Sequence, residues 1–261
     1  MKLPVNAFKR ALKEGRPQIG LWSMLCSNIV AEIVATAGFD WVVIDTEHSP
    51  NELPMVLQQL QAMQIDANTT ATPVVRPAWN DPVLIKRFLD IGSPNLILPF
   101  VQSAEEAAQA VAATRYPPHG IRGVSGSQRA NRYGLIADYH AKASEEIGVI
   151  VQVETRAALE RIPEIAKVDG IDGIFIGPAD LSADVGHLGN PAHPEAQAAI
   201  MRGLELCKAA GKPCGILAPN EDDARRYFDA GFTFVAVGVD QGLLTKATRE
   251  IVKRFRSHLG R

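Results

Sequence analysis

The chain has few cysteines and lacks a long apolar segment. Its 261 residues include three cysteines, Cys26, Cys207 and Cys214, in no arrangement that suggests metal ligation. An odd number of scattered cysteines favours packed thiols over a disulfide framework. No stretch approaches the roughly 20 apolar residues that span a bilayer, and the N-terminus lacks the apolar core of a signal peptide. We therefore expect a cytoplasmic protein without membrane contact.

The chain also lacks an excess of charge of either sign. Its 27 basic and 29 acidic residues give a formal charge of −2, and no basic run is interleaved with aromatic residues. This pattern argues against a nucleic-acid partner and leaves a small-molecule substrate as the expectation. With 46% hydrophobic residues the chain can bury a large core, and its length fits one barrel domain spanning residues 1–261.

Short apolar runs alternate with helical patterns, which predicts a parallel α/β architecture. Eight runs have the length and composition of strands buried on both faces: 18–22, 41–45, 72–76, 95–100, 149–154, 173–177, 214–218 and 234–238. Helical patterns occupy residues 28–37, 51–63, 83–90, 104–114, 195–210, 221–230 and 241–259, with Asn51 predicted as a cap. Because no Gly-x-Gly-x-x-Gly follows the first strand, a (β/α)8 TIM-type barrel is favoured over a doubly wound sheet.

One long irregular stretch, residues 116–134, separates the fourth and fifth predicted strands. It is rich in glycine and proline and carries Arg122, Arg129 and Arg132. Long loops in compact domains are usually functional or disordered. We therefore predict a loop that faces the substrate.

Two carboxylates follow consecutive predicted strands, Glu154 and Asp180. The carboxyl ends of barrel strands share one rim, where barrel enzymes place their active sites. A cation relieves the repulsion between two such groups, and oxygen ligands favour Mg²⁺, Mn²⁺ or Co²⁺. Gln152 points the same way as Glu154 and could contact the substrate. The alternative is that Asp180 only caps a helix.

A Schiff-base mechanism is not supported, because it needs a lysine inside the barrel. None of the eight predicted strands contains a lysine, and Lys212 precedes its strand. Enolate chemistry would therefore rely on a metal, and no organic cofactor is expected.

A histidine, His48, follows the second predicted strand and is a candidate general base, because the pKa of an imidazole lies near neutrality. A carboxylate could orient its ring, and Asp45, Glu47 and Asp90 are the candidates. An exposed loop histidine without a role is the alternative.

Three further residues complete the predicted rim. Arg76 ends a buried strand, where it could stabilise an enolate or form an ion pair with an acidic neighbour. Gly177 precedes a predicted helix whose first N–H groups could bind a small carboxylate such as that of pyruvate. Trp22 ends the first strand and could form a pocket wall or pack in the core.

Seven segments carry a resemblance to a known family: Ala37-Gly-Phe-Asp-Trp41, Ile44-Asp-Thr-Glu-His48, Pro73-Val-Val-Arg76, Arg115-Tyr-Pro-Pro118, Gly120-Ile-Arg-Gly-Val124, Val151-Gln-Val-Glu-Thr155 and Gly173-Ile-Phe-Ile-Gly-Pro-Ala-Asp-Leu181. They resemble the metal-dependent (class II) pyruvate aldolases, which share a superfamily with citrate lyase β subunits. Within it, the chain looks most similar to the 2-dehydro-3-deoxy-glucarate aldolases. Ala179 departs from the serine expected in that branch and resembles the 4-hydroxy-2-oxo-heptanedioate aldolases.

The resemblance implies roles for individual positions. Glu154 and Asp180 would hold a divalent metal, and Gln152 with the backbone at Ala179 would bind pyruvate. The catalytic residues would be a base, its acidic partner and an enolate-stabilising cation, namely His48, Asp90 and Arg76. The resemblance also implies a homohexamer, a trimer of dimers, in which the last helix packs on a neighbouring subunit.

The expected activity is reversible cleavage of a 4-hydroxy-2-oxo acid. The first expectation is 2-dehydro-3-deoxy-glucarate, giving pyruvate and tartronate semialdehyde. The alternative is 4-hydroxy-2-oxo-heptanedioate, giving pyruvate and succinate semialdehyde, with Arg122 or Arg129 meeting the distal carboxylate of either. A keto-acid decarboxylase, a phosphoenolpyruvate-type hydrolase and a non-catalytic scaffold are more distant alternatives.

Overall fold

The computed structural model describes residues 1–64 and 71–261. Eight parallel strands close into a barrel in chain order, with β8 pairing back to β1. The strands are β1 (Gln18–Ser23), β2 (Trp41–Asp45), β3 (Thr72–Arg76), β4 (Asn95–Leu98), β5 (Gly148–Val153), β6 (Gly173–Ile176), β7 (Cys214–Leu217) and β8 (Phe234–Val239). The predicted TIM-type barrel is confirmed, and each predicted strand overlaps an observed one.

Helices surround the barrel: α1 (Ala7–Lys13), α2 (Asn28–Ala35), α3 (Leu53–Ala62), α4 (Pro82–Asp90), α5 (Ala104–Thr114), α6 (Tyr139–Glu146), α7 (Arg156–Glu160), α8 (Ile162–Ile165), α9 (Pro178–Asp184), α10 (Pro194–Ala209), α11 (Glu221–Ala230) and α12 (Asp240–His258). A 3₁₀ turn, η1, covers Arg129–Asn131. The sequence predictions missed α1, α6, α7 and α8, which have at most eight residues each and therefore show little periodicity.

Aromatic side chains fill the barrel interior. The rings of Trp41 and Phe234 lie 5.7 Å apart, and Phe8 of α1 lies 5.4 Å from Trp41 and so closes the N-terminal end of the barrel. Two strand positions must be glycine, because a Cβ on Gly20 or Gly215 would come within 2.2 Å of the Trp41 or Phe234 ring. The N-terminal half of the interior is therefore packed, and the opposite end is left for a site.

The stretch 116–134 lies at the N-terminal end of the barrel, because it follows α5, which returns the chain from the rim. Arg122 is buried there and donates to the Asp90 carboxylate (2.7 Å), while Arg129 donates to the Ile91 carbonyl (2.7 Å). Within one chain, the prediction that this stretch faces the substrate is wrong. Neither Arg122 nor Arg129 can reach a distal carboxylate at the opposite rim of its own barrel.

The last helix, α12, lies against the barrel by its first turn only. Asp240 is its one buried residue, and the carboxylate accepts hydrogen bonds from Ser23 Oγ and from the N–H of Met24 and of Leu25. Along the rest of the helix large apolar side chains are exposed: Leu243, Leu244, Ile251, Val252 and Phe255. No helix among the described residues is long and apolar enough to span a membrane. The cytoplasmic location stays a prediction.

Candidate active site

Asp45 and Arg76 are paired in register at the ends of β2 and β3 and form a buried ion pair. Arg76 donates from Nε and Nη2 to the two carboxylate oxygens over 2.9 and 2.7 Å, and Trp22 Nε1 donates to the same carboxylate over 3.2 Å. Burial alone would raise the pKa of Asp45, but the Arg76 hydrogen bonds and charge outweigh it and leave the pKa low. The guanidinium, which lies 4.8 Å from the Trp22 ring centre, is thus fixed in place.

Glu47 and His48 lie on the loop that leaves β2. Glu47 Oε2 is 2.7 Å from Arg76 Nη1, and its other oxygen is 4.0 Å from His48 Nε2. Burial raises the pKa of Glu47, although Arg76 opposes the rise. The His48 side chain is 62% exposed and therefore open to a substrate at the rim. Asn51 does not cap α3 as predicted, because α3 begins at Leu53; its amide instead donates to the Asp45 carbonyl and braces this loop.

Glu154 directly follows β5 and is 2% exposed. Gln152 Nε2 donates to Glu154 Oε2 over 2.5 Å, and the backbone N–H of Phe100 donates to Oε1 over 2.9 Å. Burial raises the pKa of Glu154 to about 7, and the charges of Asp180 and Glu47 add to the rise, although the Gln152 hydrogen bond lowers it. Three acidic side chains therefore share one electrostatic environment.

Gly177, the N-cap of α9, lies against Glu154. A Cβ at this position would stand 2.5 Å from Glu154 Oε2, so a larger residue would displace the carboxylate. Ala179 and Asp180 follow in the first turn of α9 and are exposed. Because α9 has only seven residues and Pro178 has no N–H, the N-terminus of α9 attracts an anion less strongly than that of a longer helix would.

A hard divalent cation fits these side chains. Gln152 Oε1 is buried without a hydrogen-bond partner, so an acceptor beside Glu154 is left for a bound group. The carboxylates of Glu154, Asp180 and Glu47 repel one another, as their effect on the pKa of Glu154 shows. Oxygen donors of this kind are suited to Mg²⁺ or Mn²⁺. Glu154 and Asp180 are the residues that could hold the ion.

A second group of potential ligands lies in the connection between α9 and α10. Single atoms of His187, His193 and Glu195 lie within 4.8 Å of one another. The two imidazole rings stack at 3.4 Å, His187 Nε2 is 2.9 Å from Glu195 Oε2, and His193 accepts from the Glu195 N–H as the cap of α10. These contacts explain the cluster, because they stabilise the start of α10.

The structure gathers most predicted site residues at the C-terminal rim. Asp90 is the exception. It is the last residue of α4, beside Arg122, whereas His48 follows the C-terminal end of β2. Within one chain Asp90 therefore cannot orient His48, and the acidic group within 4.0 Å of the His48 ring is that of Glu47. Sequence reasoning missed Phe100, because the backbone N–H that binds Glu154 depends on the turn after β4 and leaves no trace in residue type.

Comparison with known proteins identifies the family of this chain. The family model for the HpcH/HpaI aldolase/citrate lyase family matches residues 18–247. The chain belongs to this family. Among relatives, it is 57% identical over 251 residues to the 4-hydroxy-2-oxo-heptane-1,7-dioate aldolase of Klebsiella pneumoniae, covering 96% of this chain and 94% of that protein. The predicted resemblance to class II pyruvate aldolases is confirmed.

Two further members of the HpcH/HpaI family extend the comparison. The pyruvate aldolase of Rhizobium etli is 55% identical over 255 residues, covering 98% of this chain and 99% of that protein. A crystal structure of a family protein from Burkholderia cenocepacia superposes with a TM-score of 0.93 at 40% identity, covering 97% and 100% of the two chains. The name of the Klebsiella pneumoniae relative matches the heptanedioate alternative, which Ala179 also resembles, and not the glucarate branch expected first.

Proposed function

We propose that this HpcH/HpaI family member is a metal-dependent aldolase that reversibly cleaves a 4-hydroxy-2-oxo acid into pyruvate and an aldehyde. The observation that supports this most is the buried Glu154, whose pKa the charge of Asp180 raises, with the unpaired Gln152 oxygen next to Glu154. A buried carboxylate that a nearby carboxylate repels stays ionised near neutral pH when a cation joins the two. The rim of a barrel is also where such enzymes act.

In this mechanism Glu154 and Asp180 would hold a divalent ion, Mg²⁺, Mn²⁺ or Co²⁺. When bound, the ion stabilises the negative charge that develops on the 2-oxo group. Gln152 and the backbone at Ala179 orient the pyruvate half, with Gly177 leaving room beside Glu154.

His48 accepts the proton of the 4-hydroxyl group as the bond between C3 and C4 breaks. The electron pair of that bond moves toward the 2-oxo group and leaves the aldehyde and the enolate of pyruvate, and a proton from water added at C3 completes pyruvate. The N–H groups of Arg76 that do not bind Asp45 or Glu47 stabilise the developing negative charge. Trp22, stacked beneath Arg76, keeps the guanidinium from turning away.

We propose 4-hydroxy-2-oxo-heptanedioate as the substrate class, with succinate semialdehyde as the aldehyde product. The names of the relatives at 55–57% identity support it. The 2-dehydro-3-deoxy-glucarate reaction is then the weaker activity of the same site.

One assay tests both parts. Protein stripped of metal is reloaded with Mg²⁺, Mn²⁺ or Co²⁺ and given either acid, and pyruvate is followed with lactate dehydrogenase. Turnover should require metal and favour the heptanedioate. Asp180→Asn should lower it more than about 100-fold, since even residues that only support a metal ligand cost 10–100-fold. Asp184→Asn on the same helix, where the residue binds the Arg156 N–H, is the matched control.

Two results would contradict the proposal. Full turnover in excess chelator would rule out the metal. Oxaloacetate decarboxylation with no aldehyde formed from either hydroxy acid would indicate a decarboxylase instead.

We also propose that copies of the chain assemble, as a trimer of dimers, through the exposed apolar face of α12. Such an assembly is the way in which Asp90 could act on His48, because the two residues lie at opposite ends of one barrel.

A further inference from the structure

Two aromatic side chains stand at the mouth of the site. Trp79 lies three residues beyond Arg76, the end of β3, and Phe100 lies two residues beyond the end of β4. Their rings stack with centres 5.7 Å apart and planes inclined by 28°. Trp79 is 54% exposed and Phe100 is 41% exposed. The pair therefore presents an apolar surface to whatever occupies the mouth.

The position of Phe100 is fixed with respect to Glu154. Its φ of +53° is a left-handed conformation that a bulky residue rarely adopts. In this conformation its N–H donates to Glu154 Oε1 over 2.9 Å, and the next N–H, of Val101, donates to the Gln152 carbonyl over 3.0 Å. Strained backbone of this kind persists where the surroundings hold it, often at functional sites. These two hydrogen bonds hold the backbone at Phe100 against Gln152 and Glu154, which receive the pyruvate half.

We propose that Trp79 and Phe100 form the subsite for the aldehyde half of the substrate and select aldehydes with an apolar carbon next to the carbonyl. This inference rests on the proposed function. The polar groups of Glu154, Gln152 and Asp180 receive the pyruvate half, so the aldehyde half extends toward the mouth. A hydroxyl group held against the two rings loses its water without gaining a partner, whereas a methylene group gains contact area.

Charge in this chain does not supply the same selection. Arg76, the nearest guanidinium, is engaged by Asp45 and Glu47, and Arg122 and Arg129 lie at the other end of the barrel. Within one chain, aromatic contact therefore separates the two aldehydes. The carbon next to the carbonyl is a methylene group in succinate semialdehyde and bears a hydroxyl group in tartronate semialdehyde.

The test uses propanal and glycolaldehyde, which differ by a methyl group in place of a hydroxyl. The ratio of kcat/KM for addition of pyruvate to the two aldehydes is measured for Trp79→Ala and Phe100→Ala. We expect this ratio to fall about tenfold, the low end of what one methyl-sized contact contributes in an apolar pocket. Tyr133→Ala is the control, since Tyr133 is also an exposed aromatic residue with positive φ, at the opposite end of the barrel.

Exchange of the pyruvate methyl protons with deuterium, followed by NMR without aldehyde, separates the two halves of the site. In the two variants, the rate of this exchange should fall less than the rate of propanal addition does. Exchange in the wild-type protein with an unchanged aldehyde ratio in both variants would overturn the subsite alone. Absence of exchange in metal-loaded wild-type protein would overturn the proposed function and the subsite with it. A loss of assembly in the variants, seen by light scattering, would instead make the pair a subunit contact and also overturn the subsite.

Discussion

At the scale of single residues, Glu154 is where the fold and the chemistry are in conflict. Its carboxylate is buried and accepts two hydrogen bonds, yet its pKa is raised to about 7 by burial and by nearby acidic groups. A protein selected for stability alone would place an apolar residue here. The unfavourable burial is consistent with a site that a cation completes.

This conflict predicts a pH dependence in metal-free protein. Because the pKa of Glu154 is about 7 when folded and 4.5 as an ordinary glutamate, the folded state binds more protons between these values. The free energy of unfolding should therefore fall as pH rises from about 4.5 to 7, by at most about 3 kcal/mol. Urea unfolding in chelator should show this slope, and Glu154→Gln should flatten it to the part that other acids with a raised pKa, such as Glu47, contribute. The control Glu160→Gln changes an exposed glutamate paired with Arg202. A slope in Glu154→Gln equal to that of the wild-type protein would contradict the assignment.

The same scale shows what the sequence could predict of the site. Glu154, Asp180 and Arg76 were predictable, because each ends or follows a short apolar run and parallel strands bring their ends together. The Asp45–Arg76 pair was one of two stated alternatives for Arg76, and the structure contains it. Phe100 was not predictable, because its contribution is a backbone N–H set by a positive φ.

At the scale of elements, the chain direction explains the misplaced loop. Residues 116–134 follow a helix, and a helix in this fold returns the chain to the N-terminal ends of the strands. Only connections that follow a strand reach the active rim. Composition rich in arginine and glycine therefore predicted a functional loop, whereas its place in the order of elements would have predicted the correct end of the barrel.

Helix α1 is a second element whose role depends on tertiary contact. Phe8 and Leu12 are buried against the interior aromatic residues, with Phe8 5.7 Å from Phe234. Phe8→Ala should lower the free energy of unfolding by about 3–5 kcal/mol, because it opens a cavity beneath the barrel core. Val5→Ala, at a 55% exposed position before the helix, should change it by less than about 0.5 kcal/mol. Equal effects in denaturant titrations would mean that α1 does not close the barrel.

At the scale of the whole molecule, the barrel was predictable and the assembly is not visible in one chain. Strands buried on both faces appear as uninterrupted apolar runs, so eight of them could be counted directly. What covers an exposed helix depends on a second molecule. Leu244, Ile251 and Phe255 follow one another at spacings of seven and four residues, so they share one face of α12.

That face gives the last prediction. Ile251 and Phe255 are 47% and 62% exposed, so replacing both by glutamate should leave the barrel folded while placing two charges in the proposed interface. We expect the mass from light scattering to fall to that of a smaller species at equal concentration, with an unchanged circular dichroism spectrum. Lys253→Glu alters the net charge equally, but on the opposite side of the helix, and should leave the mass unchanged. If the double variant keeps the wild-type mass, α12 is not the subunit contact, and Asp90 of a second copy would have to reach His48 through another surface.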